Sequence, residues 1–204
     1  MADEIFCYQS HPLRHMRKIG SITVKVAGEG PVPFDHMEIR ATFEHQSNAI
    51  VLTGFPSRNE GYVDTKSSRE DSEAWLEHVL AHEVCHSEQF AADSSLFEPG
   101  HPGDEASKRG QKAAQTREAS DYMRYLEHEL EFEAHAVQLA VQVLRNNPTL
   151  DEHDFDTMCQ SMHLYRHISE KAAPKGGCNT QPNRLTNYLQ RLVAEAWRAY
   201  QRLT

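Results

Sequence analysis

Two histidines stand four residues apart in the run His82-Glu83-Val84-Cys85-His86. On a helix that spacing puts both imidazoles on one face, and neutral imidazole nitrogens are good zinc ligands. Glu83 follows the first histidine directly. From there a carboxylate can reach a water beside the ion and take its proton as general base. The chain has 13 histidines, so a pair at this spacing also arises by chance. Two features raise it above chance. The run lies in a stretch with helical periodicity, and Val79, His82, His86 and Phe90 follow one 3-4-4 stripe that turns both rings along an apolar face. Two core histidines without a shared partner would also be costly to bury. Cys85 points elsewhere on the same helix and reads as packing rather than as a ligand. His78, one turn earlier, reads as an ordinary helix-face histidine, and Trp75, Leu76 and Leu80 as core.

A catalytic zinc needs a third protein ligand and an open position. The acidic stretch from Glu127 to His135 offers Glu127, Glu129, Glu131 and Glu133 together with His128 and His135. Met123, Leu126, Leu130, Ala134, Val137, Val141 and Leu144 mark a buried face at about 100° per residue, and Glu133 falls inside it. A carboxylate there needs a cation or donors to offset its burial, which makes Glu133 the expected third ligand. Glu127 lies further off the centre of that face. Glu129 and Glu131 lie at its margins, and His128 and His135 point nearly opposite. Glu127 and Glu131 therefore read as a solvated acidic face. Glu129, one turn before Glu133, could orient a ligand histidine.

The elements that must hold these residues are strands first and helices after. Ser21–Val26 alternates and is rich in β-branched residues, and two short runs follow at Met37–Phe43 and Ala49–Thr53. Gln46-Ser47-Asn48 between the latter two predicts a turn and hence a hairpin. Ser67-Ser68-Arg69-Glu70 is a capping-box signature that opens a helix running to about Ala92. Residues 94–115 carry Gly, Pro, Ser and mixed charge and read as a long mobile loop. A second helix is expected from Ala119 to Arg145, ending at Asn146-Asn147-Pro148. Thr149-Leu150-Asp151-Glu152, another capping box, opens a third toward Ala172. Residues 173–183 read as a Pro/Gly loop. Leu185, Leu189, Leu192, Ala196, Tyr200 and Leu203 mark a last helix, with Trp197 and Tyr200 as core or a partner surface. The expectation is one α+β domain spanning residues 1–204, with a short N-terminal antiparallel sheet packed on a mainly helical C-terminal portion.

The bulk properties fit this. The chain has 204 residues, 39% hydrophobic and 25% charged, with a formal net charge of -9. That balance argues against a nucleic-acid partner held through phosphate neutralisation. The N-terminal residues Met1 to Phe6 are acidic where a signal peptide would be basic, and no apolar run approaches a membrane span, so a cytoplasmic location with no membrane partner is expected. The four cysteines, Cys7, Cys85, Cys159 and Cys178, are scattered and form no CxxC pair, which is neither a disulfide framework nor a thiolate zinc site.

With those residues in hand, the chain resembles the zincin metallopeptidases of the gluzincin type, in which HExxH on one helix is joined by a glutamate from a later helix. Glu133-Ala134-His135-Ala136 resembles the opening of the third-ligand motif of thermolysin-like enzymes. The family often has aspartate four residues after the glutamate, where this chain has Val137. His86-Ser87-Glu88-Gln89 resembles the HExxHxxQ variant of small bacterial and phage zincin-like proteins. The resemblance covers Ser67 to Arg145 and implies a zincin-like fold whose sheet edge holds an extended peptide. The class with a third histidine soon after the motif is disfavoured by Gln89 and Ala92.

The function expected is a zinc metalloendopeptidase, a hydrolase with a protein or peptide substrate. His82, His86 and Glu133 would hold Zn2+, and Glu83 would take the proton of the attacking water. Tyr122, Tyr125, His163, Tyr165 and His167 are open candidates for stabilising the oxyanion. The alternative is a non-catalytic zincin-fold binding module with a structural zinc, and a weaker one is a metal-free helical binding protein. Glu83 favours the enzyme, because a structural site has no need of a base.

Overall fold

The 24-residue helix α1, Arg69–Ala92, carries the histidine pair and is buried around nearly its whole circumference from Glu77 to Gln89. The structure is a computed structural model that describes residues 21–26, 37–56, 69–116, 118–173 and 182–204. Ser67 and Ser68 of the expected capping box, the acidic N-terminus, Cys7, Cys178 and most of the expected 173–183 loop lie outside the described residues, as does the Trp75 side chain. The chain divides into two compact units, Met1–Glu88 and Gln89–Thr204.

The first unit contains a three-stranded sheet of β1 (Ser21–Val26), β2 (Met37–Glu44) and β3 (Ala49–Pro56) in the order β1-β3-β2. The expected hairpin is there: β2 pairs antiparallel with β3, with Phe43 opposite Ile50. Asn48 closes its turn at φ 48°, a left-handed backbone that asparagine tolerates better than most residues. The sheet is mixed rather than antiparallel, because β1 pairs parallel with β3, Ser21 opposite Ala49. Ala49, Ile50, Val51 and Leu52 are all buried, as a central strand covered on both faces should be, whereas Phe43 is buried between exposed Thr42 and Glu44 on the edge strand β2.

The second unit is helical. The expected 94–115 loop is corrected: Ser94–Phe97 forms a 3-10 turn and Pro102–Thr116 forms helix α2. Its start carries ordinary signals, with Pro102 at the first position and Asp104 and Glu105 in the first turn. Asp104 accepts hydrogen bonds from the Gly100 N–H at 2.8 Å and from Lys108 at 2.6 Å. Its glycines serve close approach. A Cβ at Gly103 would stand 2.8 Å from the Leu96 carbonyl, and one at Gly110 3.2 Å from the Tyr125 ring.

The helix expected over Ala119–Arg145 is two helices, α3 (Ala119–Leu126) and α4 (Glu129–Asn146), broken at Glu127-His128, where His128 has extended backbone. The next is also two, α5 (Glu152–Ser161) and α6 (His163–Ala172), hinged at Met162. The cap of α5 is Asp151, whose carboxylate accepts the Asp154 N–H at 2.9 Å. Helix α7, Pro182–Leu203, buries Leu189, Leu192, Ala196 and Tyr200 as its periodicity predicts. It packs along α4, and Tyr200 ties in the connection after α4: its hydroxyl donates to the Asn147 carbonyl and accepts the Leu150 N–H, both at 2.9 Å. The helices with a described sheet make this an α+β chain.

Candidate metal centre

Helix α1 brings His82 and His86 together as its geometry requires. Their Nε2 atoms stand 3.2 Å apart, with the rings edge to face at 84° and both side chains buried. The stripe logic that selected them does not hold in its simple form. Val79 and Phe90 are only half-buried, while His78, Leu80, Ala81, Glu83, Val84 and Cys85 are buried on the other faces. The helix has no solvent side along this stretch, so burial singles out no one residue in it.

Glu83 is fixed from the sheet. Its Oε2 accepts the backbone N–H of Phe43 at 2.6 Å. Among the described residues β2 ends the sheet with only β3 beside it, so an N–H that reaches Glu83 belongs to the outer edge of the strand. One turn further on, the Ser87 hydroxyl lies 3.4 Å from Asn48 Oδ1 at the hairpin turn. Cys85 is buried, as a packing residue would be.

Within the second unit the acidic stretch is sorted differently from the expectation. Glu133 is exposed, and its Oε2 accepts a hydrogen bond from Gln89 Nε2 at 2.9 Å. Glu131, expected in a solvated face, is buried. His128 and His135, expected to point outward, are buried too. The cause is the break at Glu127-His128: the 100° phase counted from Met123 and Leu126 is not carried across it, so positions beyond rotate onto other faces. The apolar positions from Leu130 onward are buried because α4 is enclosed on nearly all sides from Ala134 to Leu144.

The remaining partners define what each residue can do. Gln89 Nε2 also donates to the Leu130 carbonyl at 3.0 Å, so one buried amide holds two groups in the first two turns of α4. His135 Nδ1 lies 2.7 Å from the Glu131 carbonyl, which can only accept, so the proton sits on Nδ1. Glu127 is committed to Arg184 through two hydrogen bonds, consistent with its reading as a non-ligand. Glu129 is exposed. Among the candidate oxyanion donors, Tyr125 meets the His135 ring edge-on at 5.9 Å, and Lys171 lies 5.9 Å over the Tyr122 ring. His163 and His167 stack on α6 at 5.7 Å. Burial, with Lys171 and His163 adding to it, pushes the His167 imidazole down to about 4, and burial also lowers His163.

Glu131 and Gln89 are buried polar residues that sequence patterning did not single out. Nothing in composition marks the helix break that turns Glu131 inward. Gln89 was visible only as a motif letter. The Tyr188 hydroxyl, also not singled out, is buried without a hydrogen-bond partner among the described residues. No family model, curated protein or solved structure matches this chain.

Proposed function

We propose that this protein is a zinc-dependent peptidase of the zincin type, in which His82, His86 and a carboxylate from the first turn of α4 hold the ion and Glu83 is the general base. The observation that carries the reading is the 3.2 Å separation of the two histidine Nε2 atoms. Two nitrogens on a tetrahedral zinc, each bonded at roughly 2.0–2.1 Å, stand about 3.3 Å apart, so the pair already has the spacing of a shared ion. An N–H to N hydrogen bond between the rings has similar length, and metal content separates the two.

For the third ligand Glu131 is preferred to Glu133. Glu131 is buried, and a carboxylate beside two imidazoles is the composition of many catalytic zinc sites. Glu133 is exposed and already accepts from Gln89. Helix geometry supports the choice. Gln89 follows His86 by three residues on α1, and its side chain holds the carbonyl of Leu130, the neighbour of Glu131.

Zinc bound there supplies Lewis acidity toward a carbonyl and toward a water. The Phe43 N–H orients Glu83 through Oε2, and Oε1 is the oxygen that takes the proton from the attacking water. Because that N–H belongs to the edge of β2, a peptide laid along the edge in extended form would pass the carboxylate. The substrate class is accordingly an extended peptide segment.

The same hydrogen bond favours a second reading. A buried carboxylate that satisfies a strand edge has a structural reason to be there, and the protein would then be a binding module with a structural zinc. Glu83→Gln separates the two, because its amide oxygen can still accept from Phe43 while accepting no proton. The experiment is incubation with a denatured protein mixture, with and without chelator. The peptidase reading expects new chelator-sensitive termini from wild type and none from Glu83→Gln. Zinc-loaded wild type that generates no termini would leave the module.

A further inference from the structure

A cleft of about 560 Å³ in the second unit is lined by Arg109 and Lys112 of α2, Asp121 and Arg124 of α3, Glu127, and Arg184 of α7. Four cations face two carboxylates, on a chain whose net charge is -9. The carboxylates are already engaged. Asp121 is buried and takes Lys112 at 3.0 Å and the Thr116 hydroxyl at 3.1 Å. Glu127 takes Arg184 through both oxygens. Arg124 reaches Asp121 only at 3.8 Å, behind the closer Lys112, and its side chain is 65% exposed. Arg109 reaches Glu105 at 3.3 Å and the Arg124 carbonyl at 3.5 Å. A set of ion pairs that merely joined three helices would balance; even with Glu105 counted, these cations outnumber the carboxylates. Burial and then the charge of Arg109 hold His128 below the usual histidine range, against the opposing charges of Glu131, Glu105 and Glu129.

We propose that this cleft binds the phosphate groups of a small phosphorylated ligand through the guanidinium groups of Arg109 and Arg124. Guanidinium forks match phosphate oxygens two at a time, and a phosphate would offset the excess of like charge that the cleft gathers. The volume falls in the range of about 300–1,000 Å³ that small-molecule sites occupy. Lys112 and Arg184 stay on Asp121 and Glu127 and form the walls. The assignment is independent of the metal reading, since it shares none of its residues.

Calorimetric titration with inorganic pyrophosphate at fixed ionic strength tests it. Wild type should bind at one saturable site, and the Arg109→Gln/Arg124→Gln double variant at least about tenfold more weakly. Arg191→Gln, which removes a cation outside the cleft, should bind as wild type does. Any affinity of pyrophosphate for a bound metal is common to all three proteins, so their difference reads the arginines. Both substituted arginines are substantially exposed, and circular dichroism checks that the variant is folded; Arg124→Gln alone, expected to bind more weakly than wild type, serves should the double variant unfold. Absence of saturable binding by wild type would overturn the proposal. Equal affinity in the folded arginine variants would do the same, as would binding of an oligoglutamate peptide in place of pyrophosphate.

Discussion

Each side chain of the proposed centre answers to a separate measurement. Glu83→Gln should keep the metal and lower peptide hydrolysis by about 10²–10⁴-fold, the usual worth of a general base. Retained hydrolysis would remove Glu83 from that role. A different residue sets a pH dependence of folding. His167 is held at about 4 in the folded chain, against about 6.5 for a free imidazole. The unfolded chain therefore takes up this proton first as pH falls, so the stability linked to neutral His167 is present above about pH 6.5 and is lost on acidification toward pH 4. The urea midpoint should fall between about pH 7.5 and about pH 5, and His167→Gln should flatten that fall; an unchanged slope would show that this imidazole is not responsible. At this scale the closeness of His82 and His86 could be read from their spacing, because a helix fixes where residues four apart point. The choice between Glu131 and Glu133 could not. It turns on a two-residue break at Glu127-His128 that carries neither glycine nor proline.

Elements show the same division. Periodicity and alternation gave β2, β3 and α7 with ends close to those observed, since a buried stripe or a buried central strand leaves its mark on residue type, whereas α1, buried on nearly every face from Glu77 to Gln89, carries no such stripe. Helix α2 was lost because Gly103 and Gly110 look like loop residues, yet each is a glycine where a neighbour leaves no room for a Cβ. Gly103→Ala should thus destabilise, by roughly 1–3 kcal/mol in urea unfolding, although alanine is the better helix former. The parallel partner of β3 was also invisible, since alternation does not report strand direction. Gln89 matters as the amide that holds the first turn of α4. Gln89→Leu should weaken zinc affinity by about 10-fold or more, the usual size of effects from residues that position a ligand. A role in folding alone would lower the stability of metal-free protein and leave zinc affinity where it was.

At the scale of the whole molecule, the acidic balance of the chain suits a cation more than a nucleic acid, and among the described residues no helix is long and apolar enough to cross a membrane. Metal binding should therefore appear in bulk properties: zinc in excess should raise the unfolding midpoint of wild type, and chelator should reverse the shift. The most direct test is the zinc content of purified protein, set beside that of His82→Ala, His86→Ala, Glu131→Gln and Glu133→Gln. The account predicts one zinc per wild-type chain, its loss from both histidine variants, at least about a tenfold weaker hold in Glu131→Gln, and little change in Glu133→Gln. Wild-type protein that is metal-free as purified and takes up no stoichiometric zinc would contradict it.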